Sequence, residues 1–205
     1  MVPLFLLAAA AAVSAPVGVA DPDIPGMVTA LEYSPEARAA GRSTAATIEI
    51  RVDPTGRPQD CKVVSALGDA HLARDVCKIA SSKRYNPARL RDGTPAFAVV
   101  TTLVRLYVPG PATQDIAAAR LQPVAEVKVV QLRGNAASED VTLVTTVDPS
   151  GKVIECGPKL EEQRSLAEAI CTHTDLFHPA IVKDENGKPM PYIAESLVRA
   201  WATKN

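Results

Sequence analysis

Thr47-Ile48-Glu49-Ile50-Arg51-Val52-Asp53-Pro54-Thr55-Gly56 decides how this chain folds. Ile48, Ile50 and Val52 alternate with Thr47, Glu49 and Arg51, the period of a half-buried strand. Asp-Pro-Thr-Gly then ends the strand with turn chemistry, because Pro presets φ and Gly supplies φ > 0. The same sentence is written again downstream. Val141, Leu143, Thr145 and Val147 form the inner face of a second alternating run, followed by Asp148-Pro149-Ser150-Gly151. Other landmarks recur in the same order: Cys61 and Cys156, Cys77 and Cys171, Tyr85-Asn86-Pro87-Ala88 and Phe177-His178-Pro179-Ala180, Gly93-Thr94-Pro95 and Gly187-Lys188-Pro189. Repeats at such spacing point to two copies of one supersecondary unit. The expected boundaries are 33–108 and 124–202, joined by a linker at 109–123.

Each unit reads alike. A second strand follows the turn, around Cys61 to Ser65 and Val153 to Cys156, so a hairpin is the economical connection. Leu72, Val76, Ile79 and Ala80, with Cys77 beside them, stand at helical spacing. Leu166, Ala169, Ile170 and His173 make the corresponding stripe, and Glu161-Glu162 opens that helix on the side its dipole favours. Pro87 and Pro179 close the helical segments. A last strand covers Phe97 to Val108 in one unit and Ile193 to Trp201 in the other, and the second unit gains a strand at Glu126 to Leu132. The expected fold class is α+β: two tandem small units, each a β-hairpin, a helix and a third antiparallel strand.

Composition narrows the function. The 205 residues carry 22 Lys plus Arg against 23 Asp plus Glu, and aromatics are 4%. Phosphate neutralisation needs a basic surplus and single strands need stacking platforms, so no nucleic-acid partner is expected. Met1 to Ala20 has no charged side chain, runs apolar through Val13, and offers Gly18-Val19-Ala20 as a cleavage site before Asp21. It reads as a signal peptide, 1–20, followed by a segment, 21–43, leading into the first unit. Val13-Ser14-Ala15 is a second cleavage candidate, and a retained signal anchor is the alternative. The expected compartment is the periplasm, with membrane contact only if the leader is uncleaved.

In an oxidising compartment, four cysteines suggest staples. Cys61 falls on a strand and Cys77 on the helix covering it. Closing that loop of about 15 residues is worth about 3 kcal/mol in the chain-entropy model. Cys156 and Cys171 are spaced alike, so pairing within each unit is expected. Zinc on Cys156, Cys171, His173 and His178 is a competing reading, although Ile79 and Asn86 stand near the matching histidine places of the first unit. Thiol redox chemistry is another, without a Cys-x-x-Cys to support it.

No catalytic residue is assigned. No phosphate-binding glycine loop or nucleophile elbow occurs. His71, near Asp69 and Asp75, reads as a solvated helix-start residue. Lys83, Arg84, Arg89 and Arg91 form the one local positive concentration and read as solvated surface. No cofactor is expected.

Tyr33-Ser34-Pro35-Glu36-Ala37, Gly41, the strand Ile48 to Val52, Asp53-Pro54-Thr55-Gly56, Val63-Val64-Ser65 with Gly68 and Leu72, Tyr85-Asn86-Pro87-Ala88 and Gly93-Thr94-Pro95 together resemble a TonB C-terminal domain. The second unit resembles it less, with Gly157-Pro158-Lys159 where a Ser-Ser-Gly segment belongs. The resemblance implies a non-catalytic, periplasmic fold that takes a short segment of an envelope protein, such as an outer-membrane receptor, onto a sheet edge. The physics is strand addition: unpaired backbone N–H and C=O groups accept a peptide. The candidate edges are the last strands, with Thr101, Leu103, Arg105 and Tyr107 in one and Leu197, Arg199 and Trp201 in the other. A homodimer through exposed edges is a further expectation. Members that transduce energy use a membrane helix and a long Pro-rich spacer. Here the prolines are dispersed, and residues 21–32 are too few to cross a periplasm even when extended. A membrane-anchored energy transducer is therefore the alternative reading, and a zinc- or thiol-dependent enzyme a further one.

Overall fold

The structure, a computed structural model, describes residues 21–22 and 33–203. The expected leader, 1–20, and residues 23–32 lie outside the described residues. The Ser34 hydroxyl accepts the Ala37 N–H at 3.1 Å and starts a short helix, α1 (Pro35–Ala39). A hairpin follows, β1 (Thr44–Val52) and β2 (Pro58–Gly68). Its turn is held by the Asp53 carboxylate, which accepts the Thr55 and Arg57 N–H groups at 2.7 and 3.0 Å. Helix α2 (Ala70–Ser82) is capped by Asp69, whose carboxylate accepts the Leu72 N–H at 2.7 Å. Capping of this kind satisfies a donor that the first helical turn leaves orphaned. Strand β3 (Ala98–Leu106) completes the set.

After α3 (Thr113–Ala118) and β4 (Ala125–Val129), hairpin, helix and strand occur again in that order. They are β5 (Ser138–Val147), β6 (Val153–Pro158), α4 (Arg164–Cys171) and β7 (Tyr192–Ala202). Asp148 builds its turn as Asp53 does, accepting the Ser150 and Lys152 N–H groups at 2.8 and 3.0 Å. Two-residue ladders join Asp21–Pro22 to Tyr85–Asn86 and Ala88–Arg89 to Pro95–Ala96.

The main strands form one seven-stranded sheet in the order β6-β5-β7-β3-β1-β2, with β4 also paired to β7. Both hairpins are antiparallel, and β3 and β7 each lie antiparallel to the first strand of their own hairpin. The two last strands meet in the middle and run parallel. Their ladder is brief, Ala98 beside Ile193 and Val99 beside Ala194. The parallel contact thus joins the two third strands to each other, while each lies antiparallel to its own hairpin.

The alternation of the strands places the two helices on opposite faces of this sheet. Ile48, Ile50, Val52, Ala98, Val104 and Ile193 belong to the core under α2. Val99 and Ala194, one residue along from Ala98 and Ile193, belong to the core under α4, with Val141, Leu143, Val147 and Val198. Successive strand residues point to opposite faces, so one sheet serves both cores. Each core also takes residues from the other half: Val144 and Ile193 enter the α2 core, and Phe97 and Val99 pack against the α4 core.

Details of the second helix differ from expectation. Its buried residues are Ala167, Ile170 and Cys171, while Ala169 is exposed. His173 lies beyond the helix end and is exposed, because α4 stops at Cys171. Glu161 and Glu162 sit in a preceding 3-10 turn, Glu161–Gln163. The extra strand runs over Ala125–Val129, shorter and earlier than Glu126 to Leu132.

Candidate partner-binding edge

The cysteines pair within each half, Cys61 with Cys77 and Cys156 with Cys171, each with Cα atoms 5.6 Å apart. Each bond ties the second strand of a hairpin to the helix above it. The sulfurs of Cys156 and Cys171 are spent on each other, so they offer no thiolates to a metal.

A sheet accepts another strand where a strand has a partner on one side only. The outer strands β2 and β6 have such sides, and both carry the devices that discourage pairing. In β2, Pro58 starts the strand, and Gln59 and Val64 are skipped by the register with β1, so the strand bulges twice. In β6, Ile154 is skipped and Pro158 ends the strand. Bulges and edge prolines bend a strand away from newcomers or remove a donor.

Strand β3 is different. It pairs with β1 along its whole length without a register shift. On the other side it pairs with β7 at Ala98 and Val99 alone. From Val100 to Leu106, no strand among the described residues pairs with that side. The stretch is Val100-Thr101-Thr102-Leu103-Val104-Arg105-Leu106, without Pro or Gly. The Ile193 N–H bonds the Phe97 carbonyl at 2.9 Å. Backbone groups alternate sides along a strand, so Thr101, Leu103 and Arg105 direct theirs away from β1, toward the open side. Three of the four residues expected on this edge therefore stand together on its open stretch. Tyr107 lies just past the strand end and is exposed.

The other expected edge is corrected. Leu197, Arg199 and Trp201 lie in β7, an interior strand. Leu197 is paired with Thr142, Arg199 with Asp140, and Trp201 with Ser138 of β5. On the far side Arg199 and Trp201 pair with Glu126 and Lys128 of β4, and the Leu197 carbonyl accepts the Val124 N–H at 2.8 Å. The physical reason is the long-range arrival of β4, which spends the backbone groups of β7. The Arg199 guanidinium grips Asp140 through two bonds of 2.6 and 2.8 Å, and these hold the Asp140 carboxyl below the usual carboxylate range.

Around the open stretch the charges are modest. Glu49, opposite Thr101, is held by Lys62 at 2.8 Å. Arg105 donates from Nε and Nη2 to the Ala119 carbonyl at 3.2 and 2.5 Å, which ties the end of α3 to β3. A cleft of about 370 Å3 lies between the segment Phe177 to Val182 and the strands, against Thr145, Tyr192 and Ala194, and reaches Thr101 and Val124. His71 sits at the first turn of α2, its Nδ1 3.4 Å from Asp75 Oδ2, and does not line this cleft.

Residues 29–102 match the family model for Gram-negative bacterial TonB protein C-terminal. The match to the TonB C-terminal family runs from before α1 into the open stretch of β3. No curated protein matches the chain. The TonB C-terminal family is periplasmic and in general non-enzymatic. Among the described residues, no helix is long and apolar enough to cross a membrane. Sequence reasoning missed that β3 and β4 both pair with one side of β7. One signal was legible: Ala96 to Val100 is a continuous apolar run, which marks a strand buried on both faces rather than on one.

Proposed function

We propose that the protein is a non-catalytic, TonB-like protein of the cell envelope that takes an extended segment of a partner protein by strand addition to β3. It is exported by the leader 1–20, acts in the periplasm, and consists of two copies of one unit, 33–108 and 124–202. The single observation that carries the reading is the open side of β3 from Val100 to Leu106, free of the bulges and prolines that blunt β2 and β6. The partner class, an envelope protein such as an outer-membrane receptor, follows from the family matched by 29–102.

The test is site-specific photo-crosslinking in intact envelopes. A photoreactive residue at Leu103 is expected to give one discrete adduct with a partner protein. The same residue at Val64 of β2 or Ile154 of β6 is expected to give none. Adducts from the outer strands with none from Leu103 would overturn the reading, and self-adducts from Val64 would point to a homodimer through that edge. The mass of the mature N-terminus decides between a released protein and an anchored transducer: a chain starting at Asp21 leaves no anchor.

A further inference from the structure

The connector between the halves runs beside the unpaired stretch of β3. Helix α3 is seated by Ile116, which is 1% exposed, and by the Thr113 hydroxyl, which donates to the Val108 carbonyl at 2.9 Å. Past the helix the chain reads Ala119-Arg120-Leu121-Gln122-Pro123-Val124 before β4 begins. Both ends of this strap are fixed. Ala119, the residue that closes α3, offers its carbonyl to the Arg105 guanidinium, and Val124 donates its N–H to the Leu197 carbonyl at 2.8 Å. Val124 also lines the cleft that reaches Thr101. The strap therefore starts beside one end of the stretch, Arg105, and finishes near the other, Thr101, running against the direction of β3.

Between those ends it is held loosely. Among the described residues, no backbone hydrogen bond joins 120–123 to β3. Pro123 has no N–H to give. The Arg120 guanidinium donates to the carbonyls of Ala117, Ala118 and Ala119, and the Gln122 side chain donates to the Arg120 carbonyl. The polar side chains of the strap thus serve the strap itself. None of residues 119–124 is buried. A segment laid along a strand without pairing to it covers the edge and leaves its backbone groups unspent.

We infer that the strap 119–124 is an autoinhibitory cover on the β3 edge, and that the Arg105–Ala119 contact is its latch. The inference rests on the strand-addition reading above and adds its regulation: the partner segment takes the strap's place rather than an empty one. The latch is a charge-assisted hydrogen bond at a helix C-terminus, where a guanidinium is favoured. Breaking it frees the strap from the end of α3, while Ile116 keeps the helix seated. Only molecules with the strap lifted bind, so the apparent affinity is reduced by the fraction that are open. Arg105 thus opposes capture through its side chain, although its backbone belongs to the edge that captures.

Two variants open the latch by different means. Arg105→Gln removes the guanidinium, and a Gly-Ser-Gly-Ser insertion after Gln122 slackens the strap with Arg105 left in place. The probe is the synthetic peptide Lys-Thr-Val-Thr-Val-Thr-Val-Lys, titrated into the full exported chain and followed by amide chemical shifts. Both variants are expected to bind it at least about fivefold more tightly than the unaltered chain, the scale of one charge-assisted bond holding a closed state. The peptide is expected to shift the amides of Thr101 to Arg105 in all three proteins, and those of Arg120 to Gln122 in the unaltered chain as well. Unchanged or weaker binding by both variants, with shifts still at Thr101 to Arg105, would overturn the strap while leaving strand addition standing. A gain in one variant alone would belong to that alteration and would likewise overturn the strap. Shifts away from β3 in every protein, or no binding by any of them up to millimolar concentration, would overturn both.

Discussion

The Gly56 carbonyl accepts the Tyr85 N–H at 2.9 Å, and the Gly56 α-carbon is pressed so closely against the Tyr85 carbonyl that a β-carbon there would collide with it. Gly56 also holds φ at +81°, a value that L side chains avoid. Gly151, its counterpart in the second turn, has φ +85° but meets its nearest neighbours, Pro179 O and Ile181 Cγ1, at 3.3 Å. Gly56→Ala and Gly151→Ala therefore separate two effects. The positive φ costs about 1–2 kcal/mol at either site. Only at Gly56 must the backbone also move, so Gly56→Ala is expected to lower the urea midpoint more than Gly151→Ala does. Equal midpoints would show that the Tyr85 contact relaxes without cost.

Removing both sulfurs of one staple should be felt as a loss of stability. Cys61→Ser with Cys77→Ser opens a bond between residues 16 apart, and Cys156→Ser with Cys171→Ser one between residues 15 apart. Each double variant is expected to lose about 3 kcal/mol by denaturant unfolding under oxidising conditions, the loop-closure value for such spans. A loss confined to one pair would show that the other half is held by packing alone.

The turn acids report on acid stability. The Ser150 hydroxyl, at 2.6 Å, and the Lys152 N–H hold the Asp148 carboxyl below its ordinary range. A carboxyl lowered in the folded state contributes stability above its unfolded pKa of about 3.9, and that contribution disappears as pH falls through the folded value. In carboxyl-carbon NMR titrations, Asp148 is expected to titrate below the free-residue value. Ser150→Ala should move it back upward, and an unmoved Asp148 would assign the shift to the backbone donors instead.

At the alkaline end two phenols matter. Burial raises Tyr85 to about 12, and burial together with the Glu49 carboxylate raises Tyr192 to about 12. Their hydroxyls donate to the Ala80 and Ala180 carbonyls at 3.3 and 2.7 Å. The unfolded chain loses such protons near pH 10. Stability that is complete below pH 10 should therefore fall as the pH rises toward 12. Tyr192→Phe is expected to flatten part of that decline in unfolding midpoints measured from pH 9 to 12.

Much of this architecture was legible because it is local. The alternation Ile48, Ile50, Val52 and the Asp-Pro-Thr-Gly turn specify β1 and its hairpin, and Leu72 and Val76 specify the buried face of α2. The cysteine pairs followed from strand and helix lying sixteen residues apart. What escaped was non-local. That β3 and β7 meet in parallel depends on Ala98 finding Ile193, ninety-five positions away, and no local preference encodes such a choice. The role of β7 as an edge failed for the same reason, since β4 reaches it from the other side. Thr101, Leu103 and Arg105 lie beyond Val99, where the β3–β7 ladder stops.

The helices on opposite faces of a common sheet have a practical consequence for anyone dissecting this molecule. Phe97 and Val99 are covered by the 124–202 half, and Ile193 and Val144 by the 33–108 half. A fragment trimmed to the family match would carry a raw apolar seam and, with it, a tendency to clump. Recombinant work should keep the halves together, and poor solubility of an isolated half would speak of a torn seam rather than of a sequence unable to fold.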